Sequence, residues 1–383
     1  MIRALLKCFT LKFLSCRNRP RFHHSDKEKI GSLMESLSST NVSAMRVVAI
    51  GGGTGLSTLL RGLRGHVAVA GQSAPADDEL IRDLAAVVTV TDDGGSSGRL
   101  RQEFNMLPPG DLRNCMVALS EEEDLITQLF GHRFRSGGSI QGHNFGNLFV
   151  AALTEITGDF GHAIQLASKI LATRGRIYPA TTENLTLVAR MDDGSVVRGE
   201  TKISASRKRI VELMLDPPVA EPLPETIEAI ERADLISVGP GSLYTSLITN
   251  LLVKGIPEAL AATRGVRVFI CNLMTQANES LGLTASQHIE RIYEHTGEPI
   301  FDFALVNTAP VSPEMLLRYA AEGATPIIPD VERIEEMGIH CVVGNFLSEG
   351  NVLRHAPERV AGALLELARL KLARPARSTA QTV

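Results

Sequence analysis

Seven short apolar runs constrain what this chain can become: RVVAI, AAVVTV, DLISVG, RVFICNL, DFALVN, ATPIIP and HCVVGN. Each closes at its carboxyl side on glycine, asparagine, aspartate or proline, and most lead into a stretch with apolar residues at helical spacing, such as GLSTLLRGLRG or SLYTSLITNLLVKG. Strand–helix alternation of this kind predicts βαβ units around a mainly parallel sheet buried on both faces. The expected class is therefore α/β, a Rossmann-like doubly wound fold, in which ligands sit at the carboxyl ends of the strands.

Two segments interrupt the alternation. Residues 71–84, GQSAPADDELIRDL, read as a solvated insertion, and residues 181–203 show two extended arms around an Asp193-Gly194 turn, an added antiparallel hairpin. The chain then reads as one domain over 45–372, preceded by a basic extension at 1–44 and followed by a flexible tail at 373–383. The extension, MIRALLKCFTLKFLSCRNRPRFHHSDKE and beyond, has its apolar run broken by Lys7 and Lys12, unlike a secretory signal. Disorder is expected there, and Met45, opening MRVVAIGGGTG, competes with Met1 as the native start.

Charge narrows the partners. With 39 basic and 43 acidic side chains the net charge is −4, so no whole-chain field favours nucleic acid or a membrane surface. No run approaches the roughly 20 apolar residues of a membrane span. Five scattered cysteines, Cys8, Cys16, Cys115, Cys271 and Cys341, fit neither a disulfide framework nor a metal cluster, which points to a reducing cytoplasm.

Five clusters carry candidate chemistry. In VVAIGGGTGLSTLLRGL, the residues Gly51, Gly52, Gly53, Thr54 and Gly55 join a strand to an amphipathic helix, where free amides attract phosphate oxygens. The turn is not a Walker loop, since no Gly-Lys-Ser/Thr follows, and Leu56 stands where a dinucleotide fingerprint wants its third glycine. In VTVTDDGGSSGRLRQEF, Asp92 and Asp93 are candidates for ribose hydroxyls or for a hard cation such as Mg²⁺, and GGSSG with Arg99 and Arg101 suits an anion. Asp92 lies about 40 residues beyond Gly51 rather than the roughly 20 of a dinucleotide site; the insertion at 71–84 accounts for most of the excess.

The third cluster, NMLPPGDLRNCMVAL, offers Asp111 as a helix cap with Arg113 and Asn114 in the first turn. In GHNFGNLFVAAL, His143, Asn144 and Asn147 share one face of a helix start. In LISVGPGSLYTSLITNLL, a second strand–turn–helix, Gly239, Pro240, Gly241 and Ser242 precede Tyr244 and Thr245 in the first helical turn, a further start suited to an anion. After the next strand, CNLMTQANES brings Asn272, Thr275 and Gln276 to another carboxyl end. Asp93 and His143 are the candidates for a catalytic base, and nothing stands out as a nucleophile. The basic SASRKRI, residues 204–210, reads as a solvated face.

Taken in order, AIGGGTGLSTLLRGLR, VTVTDDGGSSGRLR, PPGDLRNCMVAL, GHNFGNLFVAALTE and SVGPGSLYTSLITNLL resemble the gluconeogenesis factor family (YvcK-like), in the superfamily of 2-phospho-L-lactate transferase (CofD-like). The resemblance spans about Met45 to Leu370, and its departures are the extension and the 71–84 insertion. It implies a Rossmann-like core, a nucleotide-containing ligand such as a UDP-sugar or an NAD-like dinucleotide, and a cytoplasmic role in cell shape and wall synthesis during gluconeogenic growth. Cell-wall synthesis proteins and a homodimer are the partners it implies. The transferase relatives use a divalent metal to join phospholactate to a deazaflavin. Two functions follow as expectations, a ligand-sensing regulator and a Mg²⁺-dependent phosphotransferase. An NAD-linked oxidoreductase fits less well, because the fingerprint is imperfect.

Overall fold

The structure, a computed structural model, describes residues 44–68, 80–121, 123–277 and 279–372. The extension expected at 1–44, apart from Ala44, and the tail expected at 373–383 lie outside the described residues.

A seven-stranded, all-parallel sheet forms the centre. Its strands are β1 (Met45–Gly51), β2 (Ile81–Val88), β3 (Arg176–Pro179), β7 (Leu235–Val238), β8 (Val266–Ile270), β9 (Phe303–Asn307) and β10 (His340–Gly344), in the order β10-β9-β8-β7-β1-β2-β3. The chain winds outward from β1 through β2 to β3, returns to the other side of β1 as β7, and winds out again. The reversal falls between β1 and β7, where crossovers leaving in opposite directions open a crevice at the carboxyl ends. Register keeps those ends level, with Gly51 opposite Val88 and Ile50 opposite Val238.

Alternation along β1 explains why the strands read as unbroken apolar runs. Val47 and Ala49 enter one core with Leu56, Leu59, Leu60 and Leu63 of helix α1 (Gly53–Arg64), whereas Val48 and Ile50 enter the other with Leu187, Leu215 and Tyr244. Both faces of the sheet are thus covered, as parallel sheets require. Helices α2 (Gly95–Phe104), α3 (Gly110–Leu119) and α4 (Phe145–Thr157) follow between β2 and β3, and a short helix α5 (Glu200–Ala205) lies between β3 and β7.

Three differences from the sequence reading have physical causes. Strand β2 begins at Ile81, so Ile81–Leu84 belong to the sheet and not to the insertion; Arg82 and Asp83 made this end look like loop, although they sit at the sheet's margin, where Asp83 pairs with Arg176. Residues 71–79 lie outside the described residues. The addition around 181–203 is a three-stranded antiparallel sheet in the order β5-β4-β6, from β4 (Thr186–Met191), β5 (Val196–Arg198) and a third strand, β6 (Ile210–Asp216), that the hairpin reading lacked. Its turn is as expected, with Gly194 at φ +81°. ATPIIP joins no strand, forming one isolated bridge, Pro326 with Met274, because two prolines cannot donate to a ladder. The seventh strand is instead the short RIYP of β3, at the edge beside β2. Residues 347–355 form a small hairpin, β11 (Leu347–Glu349) with β12 (Leu353–His355). Among the described residues no helix is long and apolar enough to cross a membrane.

Candidate functional site

A cavity of about 430 Å³ opens at the reversal point, lined by Gly53, Thr54, Asp92, Asp111, Glu200, Ser204, Ser242, Thr245, Ser246, Gln276, Ala277 and Glu279. The carboxyl ends of β1, β2 and β7 each deliver part of this wall, as the winding predicts. Its chemistry is uniform: four carboxylates, hydroxyls and one carboxamide, with no lysine or arginine side chain.

The two glycine turns are used chiefly for close approach. A Cβ on Gly55 would lie 2.4 Å from the Pro240 carbonyl oxygen, and one on Gly52 would lie 2.8 Å from Thr89 Cγ2 and 2.9 Å from Asp111 Oδ2. Gly53, at φ +61°, has nothing within 4 Å of such a carbon and leaves backbone open to the cavity. Across the crevice, Asn272 brackets Gly241, accepting from its N–H at 3.3 Å and donating to its carbonyl at 2.7 Å. Asn272 therefore holds the turn and is not in the cavity wall. The helical run after Ser242 opens with a wide turn, Leu247 N–H donating to the Ser242 carbonyl at 3.0 Å, a geometry common at functional sites.

Carboxylates already sit at both helix starts. Gly53 N–H donates to Asp111 Oδ2 at 2.7 Å. Tyr244 N–H and Thr245 N–H donate to Glu279 Oε2 at 3.1 and 3.4 Å, and the Thr245 hydroxyl donates to Oε1 at 2.8 Å. Asp92 Oδ1 accepts from Gly94 N–H at 2.9 Å. Crowding of acids shows in their proton affinity. Burial first, and Asp92 nearby, push the Asp111 carboxyl up to about 6 against the pull of Gly53 N–H and Arg113. Burial, then Asp92 and Asp111, raise Glu200 well above the usual carboxylate range; its Oε2 accepts from the Thr91 hydroxyl at 3.2 Å. Burial likewise raises Glu279.

The predicted residues divide into two groups. Gly53, Thr54, Asp92, Asp111 and Ser242 come together in the cavity wall. Asp93 does not: its Oδ1 accepts from Thr201 N–H at 2.8 Å and from the Thr201 hydroxyl at 2.6 Å, at the start of α5. Consecutive residues of an extended segment project to opposite sides, so Asp92 and Asp93 cannot grip one ion as a pair. Among the described residues no group of three or more His, Cys, Asp and Glu is disposed to hold a metal. Arg99 is spent on the Gln141 carbonyl at 3.0 Å, and Arg101 on Asn184 and Leu185, pinning the β2 loop to the added sheet.

Behind the cavity, His143, Asn144, Asn147, Arg113 and Asn114 form a closed network with α2. His143 Nδ1 lies 3.2 Å from Ser96 Oγ, which also accepts from Asn144 N–H at 3.2 Å. Asn147 Nδ2 donates to Ser97 Oγ at 3.4 Å, while Arg113 donates to Asn147 Oδ1 at 3.0 Å and to Asn114 Oδ1 at 2.6 Å. Burial, with Arg99 nearby, lowers the His143 pKa below the ordinary imidazole value.

Glu200, Ser204, Ser246 and Glu279 were not singled out from sequence; Thr245 was noted in the first turn of a helix start suited to an anion, and Gln276 only as a polar residue at a carboxyl end. Ser246 is carried by the wide turn, Glu200 and Ser204 by α5 and Glu279 by the loop after β8, and neither of those last two segments bears a glycine-rich signature. The one local signal is Gly199, at φ +96°, marking a sharp entry into α5.

The sequence profile of the 2-phospho-L-lactate transferase CofD family matches residues 47–347. A gluconeogenesis factor of Halalkalibacterium halodurans is 46% identical over 321 residues, covering 84% of this chain and 95% of the relative. That of Bacillus subtilis is 44% identical, covering 84% and 98%. The chain belongs to the gluconeogenesis factor family. A crystal structure of a Bacillus halodurans protein agrees, with a TM-score of 0.78 at 45% identity, covering 84% of this chain and all of that one.

Proposed function

We propose that this member of the gluconeogenesis factor family is a ligand-sensing regulator that binds a nucleotide-sugar or dinucleotide in the cavity at the β1–β7 reversal. In its bound form it acts in the cytoplasm on cell-wall synthesis proteins and supports cell shape during gluconeogenic growth. The observation that carries this reading is the cavity itself: about 430 Å³, within the range of small-molecule sites, at the position where doubly wound sheets take nucleotides. Asp92 and Glu200 suit ribosyl or glycosyl hydroxyls, a carboxylate accepting from O–H donors and a carboxyl that keeps its proton both donating and accepting. Phosphoryl groups suit the start of α2, where the amides of Gly95, Ser96 and Ser97 carry no partner among the described residues and Gly95 stands at φ +49°. Native mass spectrometry of freshly purified protein tests this: a retained mass of a nucleoside diphosphate derivative is expected, and a protein that arrives empty and takes up neither UDP-sugars nor NAD contradicts it.

One observation favours a second reading, a Mg²⁺-dependent phosphotransferase. Asp92 and Glu200 share the cavity, and the charge of Asp92 helps to raise Glu200. A divalent cation held by these two would relieve that repulsion and would neutralise charge on a bound diphosphate. Turnover of a diphosphate substrate only with Mg²⁺ separates this reading from the sensor, which binds without turnover.

A further inference from the structure

A nucleotide-sugar has two chemically opposed parts, a hydroxyl-rich sugar and a polyanionic diphosphate, and the cavity does not treat them alike. Phosphate needs N–H donors or cations. The wall has no lysine or arginine side chain, and Asp111 and Glu279 hold amides at both of its helix starts. Gln276 completes the wall as a neutral group, its Nε2 donating to Ser242 Oγ at 2.9 Å.

We propose that Asp111 and Glu279 are specificity-determining residues, which take up Gly53 N–H at one helix start and the Tyr244 and Thr245 amides at the other, disfavour phosphoryl groups in the cavity and reserve it for the glycosyl or ribosyl end of the ligand. The inference rests on the nucleotide reading above and deepens it. Glu279 is the stronger of the two barriers, because both of its oxygens are engaged, by Tyr244 and Thr245 amides, the Thr245 hydroxyl and Ser204 Oγ at 3.4 Å. A phosphate could take those amides only by displacing it.

The test uses inorganic pyrophosphate and UDP-glucose with the full chain in magnesium-free buffer containing a chelator. On the wild type, calorimetry is expected to give at most one pyrophosphate per chain, at the phosphoryl site that UDP-glucose shares. Glu279→Gln and Asp111→Asn, which keep shape and one acceptor oxygen, are each expected to take a further pyrophosphate, bound at least tenfold more tightly than any second one on the wild type. A second pyrophosphate per wild-type chain at comparable affinity overturns the inference, as does the absence of any gain in both variants when their circular dichroism is native. The wild-type stoichiometry decides alone where a variant does not fold. If the wild type takes neither UDP-glucose nor NAD but the variants gain pyrophosphate, the selectivity stands and the nucleotide reading falls.

Discussion

The wall of the cavity and the network behind it are built from similar residue types, yet they are in opposite states. Around His143, Asn147 and Arg113 nearly every polar group meets another from the chain, so the network binds α2, α3 and α4 into one body. In the cavity, burial and then neighbouring carboxylates raise the proton affinity of Asp111 and Glu200, and beside it the buried Gln276 oxygen has no partner. Polar groups that satisfy each other stabilise a fold; polar groups left wanting a partner mark where a ligand goes. Asp111 stands between the two, in the wall yet on the same helix as Arg113.

This contrast breaks most clearly at Asp111. Its folded carboxyl, raised to about 6 from 3.8, contributes stability that is complete below about pH 4 and is lost as pH rises through 6. Asp111→Asn removes that dependence: urea denaturation should show the wild type losing about 3 kcal/mol relative to the variant between pH 3 and pH 7. Parallel profiles would place Asp111 with the network. Asn147→Ala, inside the network, strands Arg113 and Ser97 and should cost about 2 kcal/mol at neutral pH in the same assay. Ser96→Ala leaves His143 Nδ1 and Asn144 N–H unpartnered and should cost about 1 kcal/mol. On the cavity side, Gln276→Ala should shift stability by less than about 0.5 kcal/mol, since it loses one bond and removes an unsatisfied oxygen; nucleotide-sugar affinity should fall nonetheless. Equal stability losses on both sides would erase the distinction.

Much of the fold was legible because its signals are local. Apolar runs such as RVVAI and RVFICNL, closed by turn residues and followed by 3.6-residue periodicity, specify buried parallel strands, and Gly194 announced its turn. Short or polar-headed strands were not legible: β3 is four residues ending in proline, and β2 opens on Arg82 and Asp83. At the site, residues beside glycine turns were legible, namely Gly53, Asp92, Asp111 and Ser242. Glu200 and Glu279 were not, since they reach the cavity through tertiary folding from segments with no such signature. Sequence also could not separate Asp92 from Asp93, or tell that His143 is held inward by Ser96, because both depend on the direction in which a side chain leaves the backbone.

The claim that a ligand occupies the crevice between β1, β2 and β7 is tested most directly by calorimetry of the wild type and Asp92→Asn with UDP-glucose and with NAD. The variant should bind whichever ligand the wild type binds at least tenfold more weakly, about 1.4 kcal/mol, with an unchanged urea midpoint. Equal affinity in the two proteins would place the ligand elsewhere.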